Sequence, residues 1–145
     1  MIRPHLTACL VLAIGLCAAS PAGAKEGKLT GFDTVARAGR KAKVRAKLET
    51  KGLMGIDPDV KGASLDFFVV ALNGVELKRP DFLGSEKTDD DGMATLDWTP
   101  DKPGQYSMIA RLRKGAEHTA APAEIHVAVP AEGTPLLLVQ LDQTV

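Results

Sequence analysis

Cysteine is nearly absent from this chain, and where the few cysteines lie matters more than their number. The 145-residue sequence has two, Cys9 and Cys17. Both fall in an N-terminal segment whose pattern, described below, predicts its removal. The remaining chain therefore offers no disulfide, no thiolate nucleophile and no cysteine ligand for a metal. A domain built from it must be held together by packing alone.

Aromatic residues and net charge are also scarce. The chain has one tryptophan, one tyrosine and four phenylalanines, and its 18 basic residues are balanced by 18 acidic ones. A neutral chain that nowhere interleaves basic and aromatic residues lacks the composition of a nucleic-acid-binding surface, so we expect no nucleic-acid partner. Basic residues crowd residues 37–51, and acidic residues crowd residues 81–101. We interpret these as two solvated strand faces that partly neutralise each other, rather than as a basic binding face.

Residues 1–24 have the three parts of a secretory signal peptide. Arg3 supplies the basic start, residues 6–19 are mainly apolar, and Ala22-Gly23-Ala24 is a small-residue exit. We predict cleavage after Ala24 and a secreted or periplasmic location. A spanning helix needs about 20 apolar residues, so we expect no stable membrane insertion after cleavage.

The rest of the chain shows strand patterns and turn signals but no useful helical period. Residues 43–48 alternate apolar and charged side chains, and residues 64–72 are almost continuously apolar, which is typical of a central strand. Asn73-Gly74 then predicts a hairpin turn. Further strands are expected at residues 28–32, 75–77, 82–83, 94–98, 106–112 and 123–129, and loops that set specificity at residues 52–62 and 78–87. The prediction is an all-β sandwich of about seven to eight strands over residues 25–130.

Residues 101–108, Asp-Lys-Pro-Gly-Gln-Tyr-Ser-Met, resemble the approach to strand F of an immunoglobulin-like domain. Together with the Thr-Asp-x-x-Gly-x-Ala run before them, they are similar to bacterial immunoglobulin-like and prealbumin-like domains. The resemblance implies that the Tyr106 hydroxyl bonds back to the corner backbone, and that Met108 stands where such domains have a core cysteine. We expect Met108 to pack against Val44, Ala46 or Leu48. Structural roles are expected for Gly92, Trp98, Gly104, Tyr106 and Met108.

The end of the chain is interpreted separately from the sandwich. Residues 131–135 have linker composition, and we expect residues 136–145 to form an extra strand or the start of a truncated second domain. This tail resembles the first motif of haloacid-dehalogenase-like phosphatases, which implies that Asp142 matches the general acid and Thr144 the hydroxyl residue. Gln140 stands in place of the nucleophilic aspartate, and an amide cannot replace that carboxylate. The alternative function is therefore an N-terminal accessory domain of a longer or degenerate phosphatase.

The acidic run Asp89, Asp90 and Asp91 before Gly92 has the oxygen ligands that calcium prefers. Pro100 falls where a calcium loop needs its distal carboxylate, so we interpret the run as a hairpin turn. We expect no catalytic residue, metal or other cofactor. The protein is predicted to be an exported immunoglobulin-like binding or spacer module without catalytic activity. Its expected partner is an unknown protein or carbohydrate ligand.

Overall fold

The structure is a computed structural model that describes residues 23–52 and 55–135. The strands in these ranges are β1 (Lys25–Phe32), β2 (Thr34–Val35), β3 (Ala42–Thr50), β4 (Ser64–Leu72), β5 (Val75–Lys87), β6 (Met93–Trp98), β7 (Gly104–Leu112), β8 (His118–Thr119) and β9 (Ala123–Val129). Within the same ranges there is no helix with the length and apolar character needed to cross a membrane.

Two sheets pack face to face. The four-stranded sheet has the order β6-β3-β1-β8, and the five-stranded sheet has the order β2-β9-β7-β4-β5. The long pairs are antiparallel, whereas β1 with β8 and β2 with β9 form short parallel pairs. This architecture confirms the predicted all-β sandwich.

The core lies between the inward faces of the two sheets. On β3, Val44 and Ala46 are fully buried while Lys43 and Arg45 face water, as their alternation predicts. β4 is central, because β7 and β5 pair with its two edges. Its inward residues are buried, but the apolar residues on its other face point away from the core and are only partly covered. The five-stranded sheet therefore has an apolar outer face.

β5 differs from the sequence prediction. The two short strands expected at residues 75–77 and 82–83, with a loop at 78–87, are one strand along the sheet edge. Ala71 pairs with Glu76, and Val69 pairs with Asp81. Residues 77–80 therefore bulge out opposite Val70, the one residue of β4 that lies between these pairs. Pro80 is tolerated because a bulge on an edge strand does not require its missing N–H for the ladder.

The acidic run is a turn, but the predicted hairpin is wrong. The turn connects β5, in the five-stranded sheet, to β6, in the four-stranded sheet. The corner before β7 crosses back in the same way. The residues that favour a turn are local and can be recognised in the sequence, whereas the partner of each flanking strand depends on contacts far along the chain.

The described residues begin just before β1 and end shortly after β9. β1 begins at Lys25 and β9 ends at Val129, and residues 130–135 follow without forming a strand. The predicted signal peptide falls almost wholly on residues outside the description, and residues 136–145 lie entirely outside it. The signal peptide, the extra strand and the truncated second domain therefore stay predictions.

Candidate functional site

Trp98 and Tyr106 form a structural pair at the corner between β6 and β7. Their rings meet edge to face with centroids 5.0 Å apart. The Tyr106 hydroxyl donates a hydrogen bond of 2.8 Å to the carbonyl of Lys102, so the side chain fastens the corner to its own backbone. Tyr106 is buried and Trp98 is partly buried against the core. Both rings therefore contribute to packing at the corner.

Gly104 begins β7, and Met108 lies in the middle of the same strand. Met108 is 1% exposed and lies in the same buried cluster as Val44 and Ala46 of the opposite sheet, whereas Leu48 is buried outside that cluster. Gly104 has a φ of 154°, and a Cβ there would lie 2.9 Å from the Asn73 side-chain oxygen. Gly104 therefore serves packing at the corner, and Met108 serves packing between the two sheets.

The acidic turn uses its carboxylates to hold the backbone. Asp89 accepts hydrogen bonds from the backbone N–H groups of Asp91 and Met93, at 3.0 and 2.9 Å, and Asp90 pairs with Lys61. The Gly92 carbonyl accepts a hydrogen bond of 2.9 Å from the N–H of Leu48, which ties the turn to β3. Over residues 23–52 and 55–135, no three His, Cys, Asp or Glu side chains converge closely enough to hold a metal ion.

The most distinctive surface is the outer side of the five-stranded sheet, which we call the apolar face. It is formed by Phe68, Val70, Leu77, Phe82 and Ile109. Phe82 is 55% exposed and Leu77 is 37% exposed. The rings of Phe68 and Phe82, on neighbouring strands, have centroids 5.3 Å apart at an angle of 51°. Large apolar side chains that stand together in water are uncommon on proteins without a partner.

Arg111 adds a positive charge to the apolar face. Its guanidinium carbon lies 4.3 Å from the centroid of the Phe68 ring, within the range of a cation–π interaction. The cross-strand neighbour Asp66 is bound instead by Arg113, at 3.1 Å, and by the hydroxyl of Ser85. Among the described residues, no carboxylate lies within 4.0 Å of Arg111.

A hollow of about 500 Å³ is lined in part by three residues of the apolar face, Val70, Leu77 and Ile109. The bulge of β5 contributes Leu77 and Pro80 to it, and Val70 and Ile109 come from the two central strands. Its lining also includes the polar side chains of Glu76, Ser107, Glu124 and His126, and His126 Nδ1 lies 3.3 Å from an oxygen of Asp33. The apolar face is thus continuous with a hollow whose lining is both apolar and polar.

The loops that the sequence analysis singled out are placed differently. The described part of residues 52–62 is fastened to β3, because Val60 bonds to Leu48 and Lys47 bridges Asp59 at 2.8 Å and Glu49 at 3.1 Å. The hydrogen bonds that Lys47 donates, first to Asp59 and then to Glu49, raise the pKa of Lys47. Residues 78–87 do border the apolar face, but as a strand. The sequence analysis missed Phe68 and Arg111, although the unbroken apolar run of residues 64–72 was a signal that β4 has two apolar faces.

The class of protein is an immunoglobulin-like β-sandwich. It is defined by the two facing sheets, the corner tyrosine and the methionine between the sheets. No protein-family model and no curated protein matches the chain. The class hosts many unrelated functions, so the function must be argued from the surface.

Solved structures resemble the chain at low identity. The CARDB domain of a Pyrococcus furiosus protein is 19% identical, with a TM-score of 0.40, over 74% of this chain and 94% of that one. Fibronectin(III)-like modules of Clostridium thermocellum CbhA are 15% identical, with a TM-score of 0.41, over 72% and 95%. A superoxide reductase from Ignicoccus hospitalis is 14% identical, with a TM-score of 0.38, over 72% and 79%. Likenesses at this level say nothing about activity.

Proposed function

We propose that this protein is an exported immunoglobulin-like module that binds a protein partner through the apolar face and has no catalytic activity of its own. The single observation that carries the proposal is the exposed Phe82, which packs against the ring of Phe68. Arg111, which has no carboxylate within 4.0 Å among the described residues, lies over the same Phe68 ring. Aromatic and arginine side chains are the groups that dominate binding energy at protein interfaces. Burying Phe82 and Leu77 would remove apolar area from water and stabilise a complex.

A protein partner fits this surface better than a carbohydrate. Sugar rings are commonly held by a flat, accessible aromatic face, but Trp98 and Tyr106 are turned inward. The Phe68 and Phe82 rings are tilted by 51° and so do not form one flat platform. An apolar edge beside a shallow hollow instead matches a convex apolar side chain of a protein.

One arrangement superficially resembles a hydrolytic triad, but its geometry supports the proposal that the domain has no catalytic activity. Ser107 lies opposite His126 in the ladder, and His126 approaches Asp33. Within the described residues, however, the Ser107 hydroxyl makes no hydrogen bond to His126, and the backbone N–H of His126 donates to the Asp33 carboxylate at 2.7 Å and is not free. An acyl-transfer site needs both an activated nucleophile and free N–H donors for the oxyanion.

Export is proposed from the signal-peptide pattern of residues 1–24, and β1 begins at Lys25, immediately after the predicted cleavage site. We expect protein recovered from the medium or periplasm of the producing cells to have its N-terminus at Lys25, as measured by intact-protein mass. Retention of the uncleaved chain in the cytoplasm would contradict the proposal.

Binding can be tested by placing a photo-crosslinking amino acid at Leu77 in the producing cells. Because Leu77 lies on the apolar face, we expect illumination to give one discrete protein adduct. The matched control is the same crosslinker at Thr95, on the outer side of the four-stranded sheet. Equal adducts from both positions, or none from Leu77, would rule out the apolar face as the binding surface.

The phosphatase-related alternative rests on Gln140, Asp142 and Thr144, which lie outside the described residues. No observation on the described part of the chain favours it. It stays a prediction from the sequence.

A further inference from the structure

A second surface, separate from the apolar face, concentrates positive charge. Five cationic side chains line one hollow of about 530 Å³, which we call the basic hollow; they belong to Arg37, Arg40, Lys41, Lys43 and Arg45. Its other lining residues are Thr34, Val35, Ala36 and Ala42, so no carboxylate lines it. This concentration occurs on a chain whose formal net charge is zero.

The backbone that carries these side chains is held in place. Arg40 donates its N–H to the carbonyl of Arg37 at 3.0 Å, which closes a turn in which Gly39 has a φ of 70°. The N–H of Gly39 bonds to Pro100 at 2.8 Å, and that of Ala36 bonds to Ala128 at 2.9 Å. The turn is therefore anchored to the corner between β6 and β7 and to strand β9, and a ligand would not have to order it.

The sequence led us to expect that the acidic stretch partly neutralises the basic one, and in the basic hollow this neutralisation reaches only Lys41 among the described residues. Lys47 and Lys51 are paired with carboxylates. Among the described residues, the only carboxylate within 4.0 Å of a basic-hollow cation is Asp97, 3.3 Å from Lys41. That pair is largely exposed, so solvent screens it. Arg37, Arg40, Lys43 and Arg45 keep their charges for a ligand.

The spacing of the charges sets the size of the ligand. Lys43 and Arg45 lie two residues apart on the outer side of β3, which places their backbones roughly 7 Å apart. The turn adds two more guanidinium groups beyond them. One sulfate or phosphate ion cannot span such a spread, whereas a chain with repeated oxyanions can contact several of these groups at once. Guanidinium groups bind such oxyanions with two parallel hydrogen bonds.

We propose that the basic hollow binds a polysaccharide that carries repeated sulfate or phosphate groups. Single-stranded nucleic acid shares the repeated charge but is normally held by aromatic side chains on which its bases stack. No aromatic residue lines the basic hollow, and Phe32, on the neighbouring strand β1, lies under Arg45 with the guanidinium carbon 5.9 Å from the ring centroid. The site is thus suited to charge recognition without base stacking.

The test measures binding of the purified chain to dextran sulfate and to phosphorylated mannan, with neutral dextran as the matched ligand control. We expect binding to one or both anionic polymers, weakening as salt rises, and none to neutral dextran. The triple variant Arg37→Gln, Arg40→Gln, Lys43→Gln is expected to lower the affinity at least about tenfold and to flatten the dependence on salt, because three oxyanion contacts are lost.

The matched protein control removes the same formal charge from β5. Lys78→Gln, Arg79→Gln, Lys87→Gln changes three exposed residues away from the basic hollow, and we expect it to change the affinity by less than about twofold. Thermal unfolding checks that both triple variants are folded. Equal loss in the two variants, no binding to either anionic polymer, or equally tight binding of single-stranded DNA of matched charge would overturn the proposal.

Discussion

Replacing Met108 with alanine is expected to lower the free energy of unfolding by about 2 to 5 kcal/mol. The side chain is 1% exposed and pairs in the ladder with Val69 and Ile125. It reaches the inward side of the opposite sheet, where Val44 belongs to the same cluster. No disulfide can join the sheets at this point, so the truncation leaves a cavity where the two layers depend on packing alone. Urea unfolding monitored by Trp98 fluorescence measures the change.

The matched control is Met93→Ala. Met93 is chemically identical but only partly buried, at the start of the edge strand β6. We expect its substitution to cost less than about 1 kcal/mol, because less apolar surface is removed from the core. If the two variants lose the same stability, Met108 is not the contact that joins the sheets.

The substitution Gly92→Ala is expected to destabilise the protein by about 3 kcal/mol or more. Gly92 has a φ of 70°, a conformation that alone costs an alanine about 1 to 2 kcal/mol. In addition, a Cβ at this position would lie 2.5 Å from the backbone oxygen of Leu48. The same residues are joined by the hydrogen bond from Leu48 to Gly92, so the clash cannot be relieved without moving the turn away from β3.

Gly39→Ala separates the two contributions. Gly39 also has a φ of 70°, but nothing lies within 4 Å of a Cβ built there. Its substitution is expected to cost only the conformational term, about 1 to 2 kcal/mol, in the same unfolding measurement. Equal losses at both positions would show that the contact between Gly92 and Leu48 does not constrain the turn.

Much of the fold was predictable because its signals are local. The alternation of residues 43–48 predicts β3, Asn73-Gly74 predicts the turn before β5, and residues 101–108 predict the corner that Tyr106 fastens. The immunoglobulin-like resemblance carried by that corner is confirmed by the arrangement of the two sheets. These features depend on period-two burial and on turn chemistry, both of which are visible in short stretches of sequence.

The two proposed binding surfaces were less predictable because they join residues far apart in the chain. The apolar face needs β4, β5 and β7 side by side, and the stacking of Arg111 on Phe68 follows from that pairing. The bulge of β5 is set by the register of β5 against β4. That pairing is not visible in the sequence, which predicts a loop at residues 78–87. Whether neighbouring charges neutralise one another, as at Lys47, or remain available, as in the basic hollow, is likewise decided by the fold.

We propose above that the protein binds its partner through the apolar face. The most direct measurement compares the adduct formed by a photo-crosslinker at Leu77 in the otherwise unchanged chain and in chains carrying Phe82→Ser or Arg111→Gln. Both side chains are exposed, so we expect the domain to remain folded while the adduct falls at least about fivefold in each. An adduct of unchanged yield in both variants would contradict the account.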